Sequence, residues 1–372
     1  MKTLILVGGG HAHLYVIKKM KSSVKTGLNV ILISEMDKQY YSGMASGSLE
    51  GYYSEDDMSV DLNDYCQKHD IRFIKNTVIS VEPNSKEIKL GDGSRIYYDY
   101  LSFDIGSTAK TNLDTTGGEC FYVKPLYRIK EINSKVTELA KLNKHVQNIN
   151  IVVVGTGAAG IEVGLATKIL AESKGMMVRL TFVGSNFTPT SGMNTTSEKS
   201  LLKIQMLWED IQWVHNDPGT QIVDNDLQLE SGKKLRYDIL IIATGVKGPE
   251  LFNQSGIKVD ENNYMLTNEY LQSVQFCNIF GAGDCIKVNI NASIPKNGVY
   301  AIKEAKVLVK NLENVIGGKP LKAFKPQKRF LSIIALREGT AIAVYKPFVW
   351  MGKVPFIIKK WIDQKYMQRI KR

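Results

Sequence analysis

Two glycine turns, Val7-Gly8-Gly9-Gly10-His11-Ala12-His13 and Val154-Gly155-Thr156-Gly157-Ala158-Ala159-Gly160, decide the fold of this chain. Each follows an apolar run of the strand type and precedes a helical pattern, which is the strand–turn–helix order of a dinucleotide-binding unit. A single match of this kind is weak evidence. Two such units in one chain predict two dinucleotides held face to face.

The composition is that of an ordinary globular protein. Of 372 residues, 44% are hydrophobic and 23% are charged, enough for two or three domains with full cores. The four cysteines show neither a Cys-x-x-Cys pair nor metal-ligand spacing, so we expect a reducing compartment and no metal site. Because no secretory signal precedes the first strand and no apolar stretch reaches roughly 18 residues, a cytoplasmic location is expected.

The positive charge is concentrated at the C-terminus. The net charge is +11, and residues 319–372 hold 14 Lys and Arg against two acidic residues. The rest of the chain is therefore nearly neutral. This asymmetry predicts an anionic partner for the tail. A solvated basic face that aids solubility is the simpler alternative.

The first turn has two of the three glycines of the dinucleotide fingerprint. Gly8 and Gly10 allow a tight turn and a close approach of the backbone to a pyrophosphate at the N-terminus of the next helix. His13 takes the place of the third glycine, so its side chain must displace the helix or point elsewhere. Glu35, after the second strand, suits the ribose hydroxyls of an adenosine. It weakens the alternative of a strand–turn–helix that binds nothing.

A further acid follows a late strand. The segment Ile279-Phe280-Gly281-Ala282-Gly283-Asp284 places an aspartate where a flavin site can use it to bind the ribityl chain. A site for NAD alone needs no such residue. Asp284 would also serve as the N-cap of the following helical segment, and the two roles can coexist.

The second turn satisfies the fingerprint fully with Gly155, Gly157 and Gly160. The acid that an NAD-selective site usually offers is missing, because Gly184-Ser185-Asn186 follows the next strand. No arginine cluster for a 2′-phosphate replaces it, so NADH and NADPH both remain open, as does a degenerate site. Glu162, on the helix after the turn, could contact a nicotinamide or relay a proton. A purely electrostatic role at the positive helix N-terminus is an equal alternative.

The chain resembles the two-dinucleotide-binding-domain flavoproteins, the pyridine nucleotide-disulfide oxidoreductase superfamily. Four motifs in the same order carry this resemblance: the two glycine turns, Ala243-Thr244-Gly245 and the Asp284 segment. The similarity covers roughly residues 1–318. Within it, the chain is most similar to the branch of the type II NADH dehydrogenases. More narrowly, residues 7–13, 41–44 and 295–301 resemble the flavoprotein domain sometimes fused to selenide-water dikinase.

The resemblance implies an α/β fold class with two Rossmann-like FAD/NAD(P)-binding domains in a three-layer sandwich and a small C-terminal α+β region. We expect two FAD-binding segments, 1–112 and 246–318, and an NAD(P)-binding domain, 113–245. A basic C-terminal region with an amphipathic helix, 319–372, completes the chain. FAD would occupy the first site and NAD(P)H the second, with hydride transfer from the nicotinamide to the flavin.

The resemblance also implies roles for individual residues. Glu162 matches the acid that type II enzymes place near the nicotinamide, and Lys296 lies at the helix facing the isoalloxazine, so these two are the predicted catalytic residues. The stretch Tyr41-Ser42-Gly43-Met44 would lie beside the flavin. The predicted cofactor-binding residues are Gly8, Gly9, Gly10, His11, Ala12, His13, Glu35, Ser42, Gly43, Met44, Val78, Gly106, Lys124, Gly155, Gly157, Gly160, Gly245, Gly283, Asp284 and Val299.

Departures from the family pattern limit the chemistry. The disulfide reductases carry a redox cysteine pair near residues 40–50, which is missing here, so dithiol relay chemistry is excluded. Sulfide:quinone oxidoreductases need a cysteine well after the Gly-Asp motif, and none follows Cys285. The glutamines that line the quinone site of type II dehydrogenases are replaced by Lys296, Asn297, Lys303 and Glu304. A quinone-like acceptor is therefore a hypothesis.

Two alternatives to a quinone reductase stay open. One is a flavoprotein reductase of selenium or sulfur metabolism, which an accessible Cys120 near the flavin would favour. The other is a redox-sensing flavoprotein without turnover, suggested by Gly184-Ser185.

The tail predicts a surface-binding helix. An apolar stripe formed by Val354, Ile357, Ile358, Trp361 and Ile362 lies on one side of a helical wheel, and Lys359, Lys360, Asp363 and Gln364 face the other way. Residues 353–372 would suit shallow insertion into an anionic membrane surface, on the inner face of the cell membrane. Packing of the stripe on the protein itself or on a second subunit of a homodimer is the alternative. No nucleic-acid-binding module is recognisable, so nucleic acid is not an expected partner.

Overall fold

Two five-stranded parallel sheets form the body of the protein. The computed structural model describes residues 2–25, 27–142, 148–184, 211–290, 294–296, 298–327, 329–336, 339–345 and 348–372. Among these residues, the strands are β1 (Thr3–Val7), β2 (Asn29–Ser34), β3 (Lys38–Tyr40), β4 (Ser59–Asp61), β5 (Arg72–Lys75), β6 (Val78–Glu82), β7 (Glu87–Leu90), β8 (Arg95–Tyr97), β9 (Tyr100–Phe103), β10 (Thr108–Ala109), β11 (Phe121–Tyr122), β12 (Asn148–Val154), β13 (Met177–Gly184), β14 (Ile211–His215), β15 (Gly219–Val223), β16 (Asp226–Leu229), β17 (Lys234–Arg236), β18 (Ile239–Ile242), β19 (Val246–Lys247), β20 (Met265–Thr267), β21 (Ile279–Gly281), β22 (Ile286–Val288), β23 (Ser332–Ala335), β24 (Ala341–Tyr345) and β25 (Phe348–Gly352).

Helices flank these sheets. The described α-helices are α1 (His11–Lys25), α2 (Ala45–Leu49), α3 (Glu55–Met58), α4 (Leu62–Lys68), α5 (Ile129–Leu142), α6 (Ala158–Ser173), α7 (Leu251–Gln254), α8 (Gly298–Ile316) and α9 (Lys353–Lys371). Short 3-10 turns occupy Ser42–Met44, Leu126–Arg128 and Gly283–Cys285. None of the described helices is long and apolar enough to cross a bilayer.

The first sheet has the strand order β21-β9-β1-β2-β5, and all its pairs are parallel. Its central strands are nearly continuous runs of buried Val, Ile and Leu, as expected of a parallel sheet covered on both faces. The carboxyl ends of β1, β2, β9 and β21 therefore lie at one edge. Gly8, Glu35, Asp104 and the Gly283-Asp284 pair follow these strands.

The second sheet repeats the plan with the order β11-β18-β12-β13-β14, again parallel. Each parallel sheet is accompanied by a three-stranded antiparallel meander, β6-β7-β8 in the first case and β15-β16-β17 in the second. The predicted α/β class with two Rossmann-like units is confirmed. Four strands of the first sheet precede the strands of the second sheet in the sequence, and β21 follows them. The domain boundaries remain a prediction.

Two further groups of strands complete the fold. In the first, β5 joins the parallel sheet beside β2, and the antiparallel meander begins at β6. In the second, β23, β24 and β25 form a three-stranded antiparallel sheet before α9.

The inward side of the C-terminal helix α9 carries both apolar and polar residues. Met367, Ile370 and Asp363 are buried, and the Lys359 side chain is 11% exposed. Ile357 and Trp361 of the apolar stripe are 62% and 58% exposed. Lys359 and Asp363 lie on the side opposite these two residues and face inward, where they have polar partners. The alternative that the stripe packs on the protein's own domain is wrong for Ile357 and Trp361.

Candidate functional site

The first glycine turn is closed against the residue that follows β9. Gly8 has φ of +89°, and its N–H donates to the Ile33 carbonyl at 2.8 Å. A Cβ placed on Gly8 would lie 2.4 Å from the Asp104 carbonyl oxygen, and one on Gly10 would lie 2.3 Å from the Asp104 carboxyl group. Both positions therefore require glycine.

His13 resolves the missing third glycine by pointing beneath the turn. Its ring is fully buried; Nδ1–H donates to the Gly8 carbonyl at 2.7 Å, and Nε2 accepts from the Ser102 hydroxyl at 2.9 Å. Burial lowers the pKa of His13 to about 4, so the imidazole is neutral. The side chain supports the turn from inside. Its predicted contact with a cofactor stays a prediction.

Asp284 and Lys124 are brought together at the opening of the first unit. The Lys124 amine donates to an Asp284 carboxylate oxygen at 2.5 Å and to the Ser107 hydroxyl at 3.0 Å. Glu35 is exposed just beyond β2. Gly106 has φ of +70° in the loop between β9 and β10. These predicted cofactor-binding residues share one edge of the sheet.

Val78 and Val299 occupy different environments. Val78 is buried in the meander and pairs with Leu90. Val299 is 38% exposed in the first turn of α8. Asn297 lies outside the described residues.

Lys296 lies in a buried, negatively charged corner. Its amine is 4.4 Å from the centre of the Tyr264 ring and donates to the Ile286 carbonyl. Burial lowers the pKa of Lys296, against the opposing effect of Glu304 and Asp284. Glu304 is itself buried and accepts from the Gly283 N–H at 2.6 Å; burial raises its pKa to about 7. Glu304 and Gly283 are 21 residues apart, and no motif of the sequence indicates this contact.

The 41–44 loop lies under α9. The Tyr41 hydroxyl donates to Asp363 at 3.0 Å, and the Tyr41 and Tyr366 rings are 4.7 Å apart. The Tyr366 hydroxyl lies 2.8 Å from His11 Nδ1. A Cβ on Gly43 would lie 2.8 Å from the Asp363 carboxylate, so this glycine allows the helix to approach. Burial lowers the pKa of His11 to about 4.

Glu162 joins this group from the second unit. One Glu162 carboxylate oxygen accepts from the Ala335 N–H at 2.7 Å. Lys359 lies between the two units: its amine bonds Asp363 at 2.9 Å, donates to the Gly43 carbonyl, and interacts with the charge of Glu162. The structure thus connects the predicted catalytic acid with the predicted flavin loop.

Burial shifts the charges in this network. It raises the pKa of Glu162 and of Asp363, with Lys359 opposing both shifts. Burial also lowers the pKa of Lys359, but the charges of Glu162 and Asp363 outweigh it and leave that pKa raised. The sequence held one signal for this network, since Asp363 is one of only two acids in residues 319–372 and lies four residues after Lys359.

The second glycine turn is closed by backbone contacts. Gly155 has φ of +116°, and a Cβ on it would lie 2.2 Å from the Ala243 carbonyl oxygen. A Cβ on Gly160 would lie 2.2 Å from the Gly155 carbonyl oxygen. Apart from their chain neighbours, no described residue comes within 4 Å of a Cβ on Gly157 or Gly245. Ser185 and Asn186 lie outside the described residues.

A basic cleft of about 530 Å³ lies where the chain crosses between the two units. The crossing segments are β10 and β19, which pair antiparallel. The positive charge of the cleft favours anionic ligands. Its lining residues are Ala109, Lys110, Thr111, Asn112, Tyr122, Lys124, Arg128 and Lys247.

The cysteines take no visible part in the site. All four are free thiols. Cys120 is half-buried before β11, and burial raises its pKa, which keeps the thiol protonated and poorly nucleophilic. This placement gives no support to the selenium or sulfur reductase. Within the described part of the chain, no group of three or more His, Cys, Asp and Glu is arranged to hold a metal ion.

Comparison with known families identifies the fold. Residues 2–305 match the family described as pyridine nucleotide-disulphide oxidoreductase. The chain belongs to this family. The oxidoreductase therefore uses FAD as its cofactor and NAD(P)H as its substrate, as the two units predicted.

Relatives of the oxidoreductase cover nearly its whole length. A type II NADH:quinone oxidoreductase from Haemophilus influenzae is 22% identical over 92% of this chain and 86% of the relative. The sulfide:quinone oxidoreductase of Aquifex aeolicus has a TM-score of 0.82 at 20% identity, over 100% of this chain and 92% of that one. NDH2 from Plasmodium falciparum, solved with NADH, has a TM-score of 0.82 at 15% identity, over 100% and 97%. The two solved structures support the fold.

The residues of the first unit fit an FAD with one exception. The closed glycine turn, the N-terminus of α1, Glu35 and Asp284 lie at the carboxyl edge of the sheet, where dinucleotides bind in such folds. The exception is the Asp104 carboxylate, which already occupies the N-terminus of α1.

Proposed function

We propose that this oxidoreductase oxidises NADH or NADPH at the second unit and passes the electrons through FAD to a quinone-like acceptor at a membrane surface. The observation that carries the proposal is the network which joins Glu162 to the 41–44 loop through Lys359 and Asp363. The relative from Haemophilus influenzae, a type II NADH:quinone oxidoreductase matched over 92% of this chain, supports the choice of acceptor.

The chain itself supplies positioning and proton transfer. FAD, when bound, accepts two electrons with a hydride and can release them to a second substrate. Reducing a quinone to a quinol takes two electrons and two protons, while NAD(P)H brings two electrons and one proton. One further proton must therefore come from solvent through the protein.

The buried network provides a path for that proton. Glu162 and Asp363 have raised pKa values, which brings a carboxyl group closer to the range in which it exchanges protons at neutral pH. Lys359 connects the two acids, and the Tyr41 hydroxyl extends the path from Asp363 towards the 41–44 loop. We propose that Glu162 and Asp363 hold the proton that the acceptor takes up.

Stopped-flow spectroscopy of the flavin tests this function. Anaerobic mixing with NADH or NADPH should bleach the flavin, and a menaquinone or ubiquinone analogue should then restore its colour. Glu162→Gln should slow recolouring by quinone at least tenfold, while Gln364→Ala, on the exposed side of α9, should leave both phases unchanged. No bleaching with either nucleotide would favour the redox sensor instead. Bleaching followed by recolouring with selenium compounds alone would favour the other alternative.

The outward apolar stripe of α9 supports attachment to a membrane. Ile357 and Trp361 are exposed beside Lys360, Lys365 and the basic end of the helix. Phe348, in the adjoining β25, is 74% exposed. Apolar side chains flanked by cations suit an anionic leaflet, to which each basic residue contributes on the order of 1 kcal/mol.

Co-sedimentation with liposomes containing anionic lipid tests the attachment. Replacing Ile357 and Trp361 by serine should abolish pelleting, because it removes two apolar side chains that would enter the membrane. The fold should persist, since both side chains are exposed and contribute little to the folded core. Exchange of Gln364 for serine is the matched control on the same helix. Unchanged pelleting of the double variant would rule out the stripe as the anchor. If that variant instead converts a dimer into a monomer in solution, a second copy of this chain covers the stripe.

A further inference from the structure

Asp104 supplies an anion to the first glycine turn from outside the turn. It follows β9, is 5% exposed, and one carboxylate oxygen accepts from the Ala12 N–H at 2.7 Å and from the His13 N–H at 3.1 Å. Ala12 and His13 are the second and third residues of α1, and a side-chain cap normally accepts from the N–H groups at these positions. The carboxylate therefore caps α1 in place of Gly10, which has no side chain.

The same place is the one that the fold offers to a dinucleotide. In a strand–glycine turn–helix unit, the pyrophosphate binds at the helix N-terminus because the N–H groups and the helix dipole favour negative charge there. A Cβ on Gly10 or on Gly283 would lie 2.3 Å or 2.6 Å from the Asp104 carboxyl group, so the acid is enclosed by the turn. Two anions would have to share one helix end.

Neither His11 nor His13 offers a positive charge that would compensate an ionised Asp104. Burial raises the pKa of Asp104 to about 7; the N–H bonds from His13 and Ala12 act against this shift, and the charges of Glu304 and Asp284 add to it. His11 and His13 are held neutral by burial. The titratable groups that interact with Asp104 are His13 of α1, Asp284 and Cys285 of the Gly283–Cys285 turn, Glu304 of α8 and Tyr366 of α9. Further out, Lys124 pairs with Asp284, and His11 and Lys296 interact with the charge of Asp284.

We propose that Asp104 is an internal anion that competes with the FAD diphosphate for the N-terminus of α1, so that FAD affinity depends on the charge of Asp104. The neutral acid leaves the positive helix end to the diphosphate. The ionised acid repels it at short range. Binding of FAD above neutral pH then requires uptake of a proton by Asp104.

The pH dependence of FAD affinity in the full-length protein, stripped of flavin and titrated with FAD by fluorescence, tests this inference. Because burial raises the pKa of Asp104 to about 7 and only the neutral acid is expected to admit the diphosphate, the dissociation constant of the wild type should rise about tenfold per pH unit above that pH. Asp104→Asn keeps the shape without the charge, and its constant should not change with pH. Glu304→Gln is the matched control, since it removes the neighbouring buried acid and should keep most of the slope.

Several outcomes would overturn the inference. They are a wild-type affinity that is independent of pH, the same slope in Asp104→Asn, or a variant that binds FAD more weakly at every pH. If Asp104→Asn does not fold, calorimetry of the wild type at pH 8 in buffers of different ionisation enthalpy replaces it. About one proton should then be taken up per FAD, and uptake of none contradicts the competition. These readouts need neither NAD(P)H nor a quinone, so they stand apart from the proposed acceptor.

Discussion

The turn at Gly8–His13 and the turn at Gly155–Gly160 follow the same backbone path. Gly8 N–H donates to the end of β2 and Gly155 N–H to the end of β13, both at 2.8 Å. A Cβ on either glycine would meet the carbonyl oxygen of the residue that follows the neighbouring strand, Asp104 in one unit and Ala243 in the other. The backbones of the two turns can therefore be compared residue by residue.

What fills the two turns is different. In the first unit, His13 packs on Ser102, and Asp104 caps the helix. The equivalent positions in the second unit are Gly160, Ile241 and Ala243, all without a polar side chain. The third glycine is thus needed only where helix and strand meet backbone to backbone. In the first unit an imidazole–hydroxyl pair fills the same space, and a side-chain carboxylate accepts the N–H groups at the positive end of the helix.

The largest effect should come from Gly160→His, which gives the second turn the side chain of the first. Its Cβ would lie 2.2 Å from the Gly155 carbonyl oxygen, and the backbone cannot move aside as a flexible side chain could. We expect a loss of more than about 3 kcal/mol in the free energy of unfolding, at the upper end of overpacking effects. Urea unfolding at a fixed FAD concentration measures it.

Gly157→Ala is the control in the same turn. Gly157 has φ of −70°, and no described residue comes within 4 Å of its Cβ position. Its substitution should cost less than about 1 kcal/mol. Equal stability of Gly160→His and the wild type would mean that the second turn can open as the first has done, and the contrast between the units would fail.

The sequence predicted those parts of the site that depend on local chemistry. Each glycine turn contains its own strand, turn and helix start, so both units could be placed from short stretches. Asp284 and Glu35 lie at one edge of the first sheet because each follows a strand whose carboxyl end lies there, while their contacts with a cofactor stay a prediction. The paired parallel sheets follow from the same repeated pattern.

The rest depends on contacts between distant parts of the chain. Asp104 caps α1 across 92 residues, and nothing in the sequence around Asp104 indicates this partner. The wheel of α9 shows which side is apolar, but the side that faces the protein is decided by Tyr41, Gly43 and Glu162. The buried side of α9 combines Met367 and Ile370 with Lys359 and Asp363, so the apolar stripe alone does not show which side of the helix is buried.

A smaller effect is expected from Ala243→Asp, which gives the second turn the anion of the first. Its carboxylate would cap α6 as Asp104 caps α1 and would repel the pyrophosphate of NAD(P)H. We expect the nucleotide concentration for half-maximal bleaching to rise at least tenfold, with the limiting rate little changed. Ala243→Asn, of the same size and without charge, is the control. Equal loss in both variants would point to steric exclusion instead of charge.

The smallest effect concerns pH and the buried imidazole of the first turn. His13 has a pKa of about 4 in the fold against 6.5 as the reference value, so the unfolded chain takes up this proton first as the pH falls. Its contribution to stability is therefore complete above pH 6.5 and is lost as the pH falls towards 4, on the order of 1 kcal/mol per pH unit. His13→Gln cannot titrate, so its unfolding free energy should fall less steeply than that of the wild type between pH 6.5 and 4.5. Gly157→Ala, in the turn without a titratable group, should run parallel to the wild type. Parallel curves for all three proteins would show that the pKa of His13 is not lowered in the fold, so that the imidazole gains a proton there as readily as in the unfolded chain.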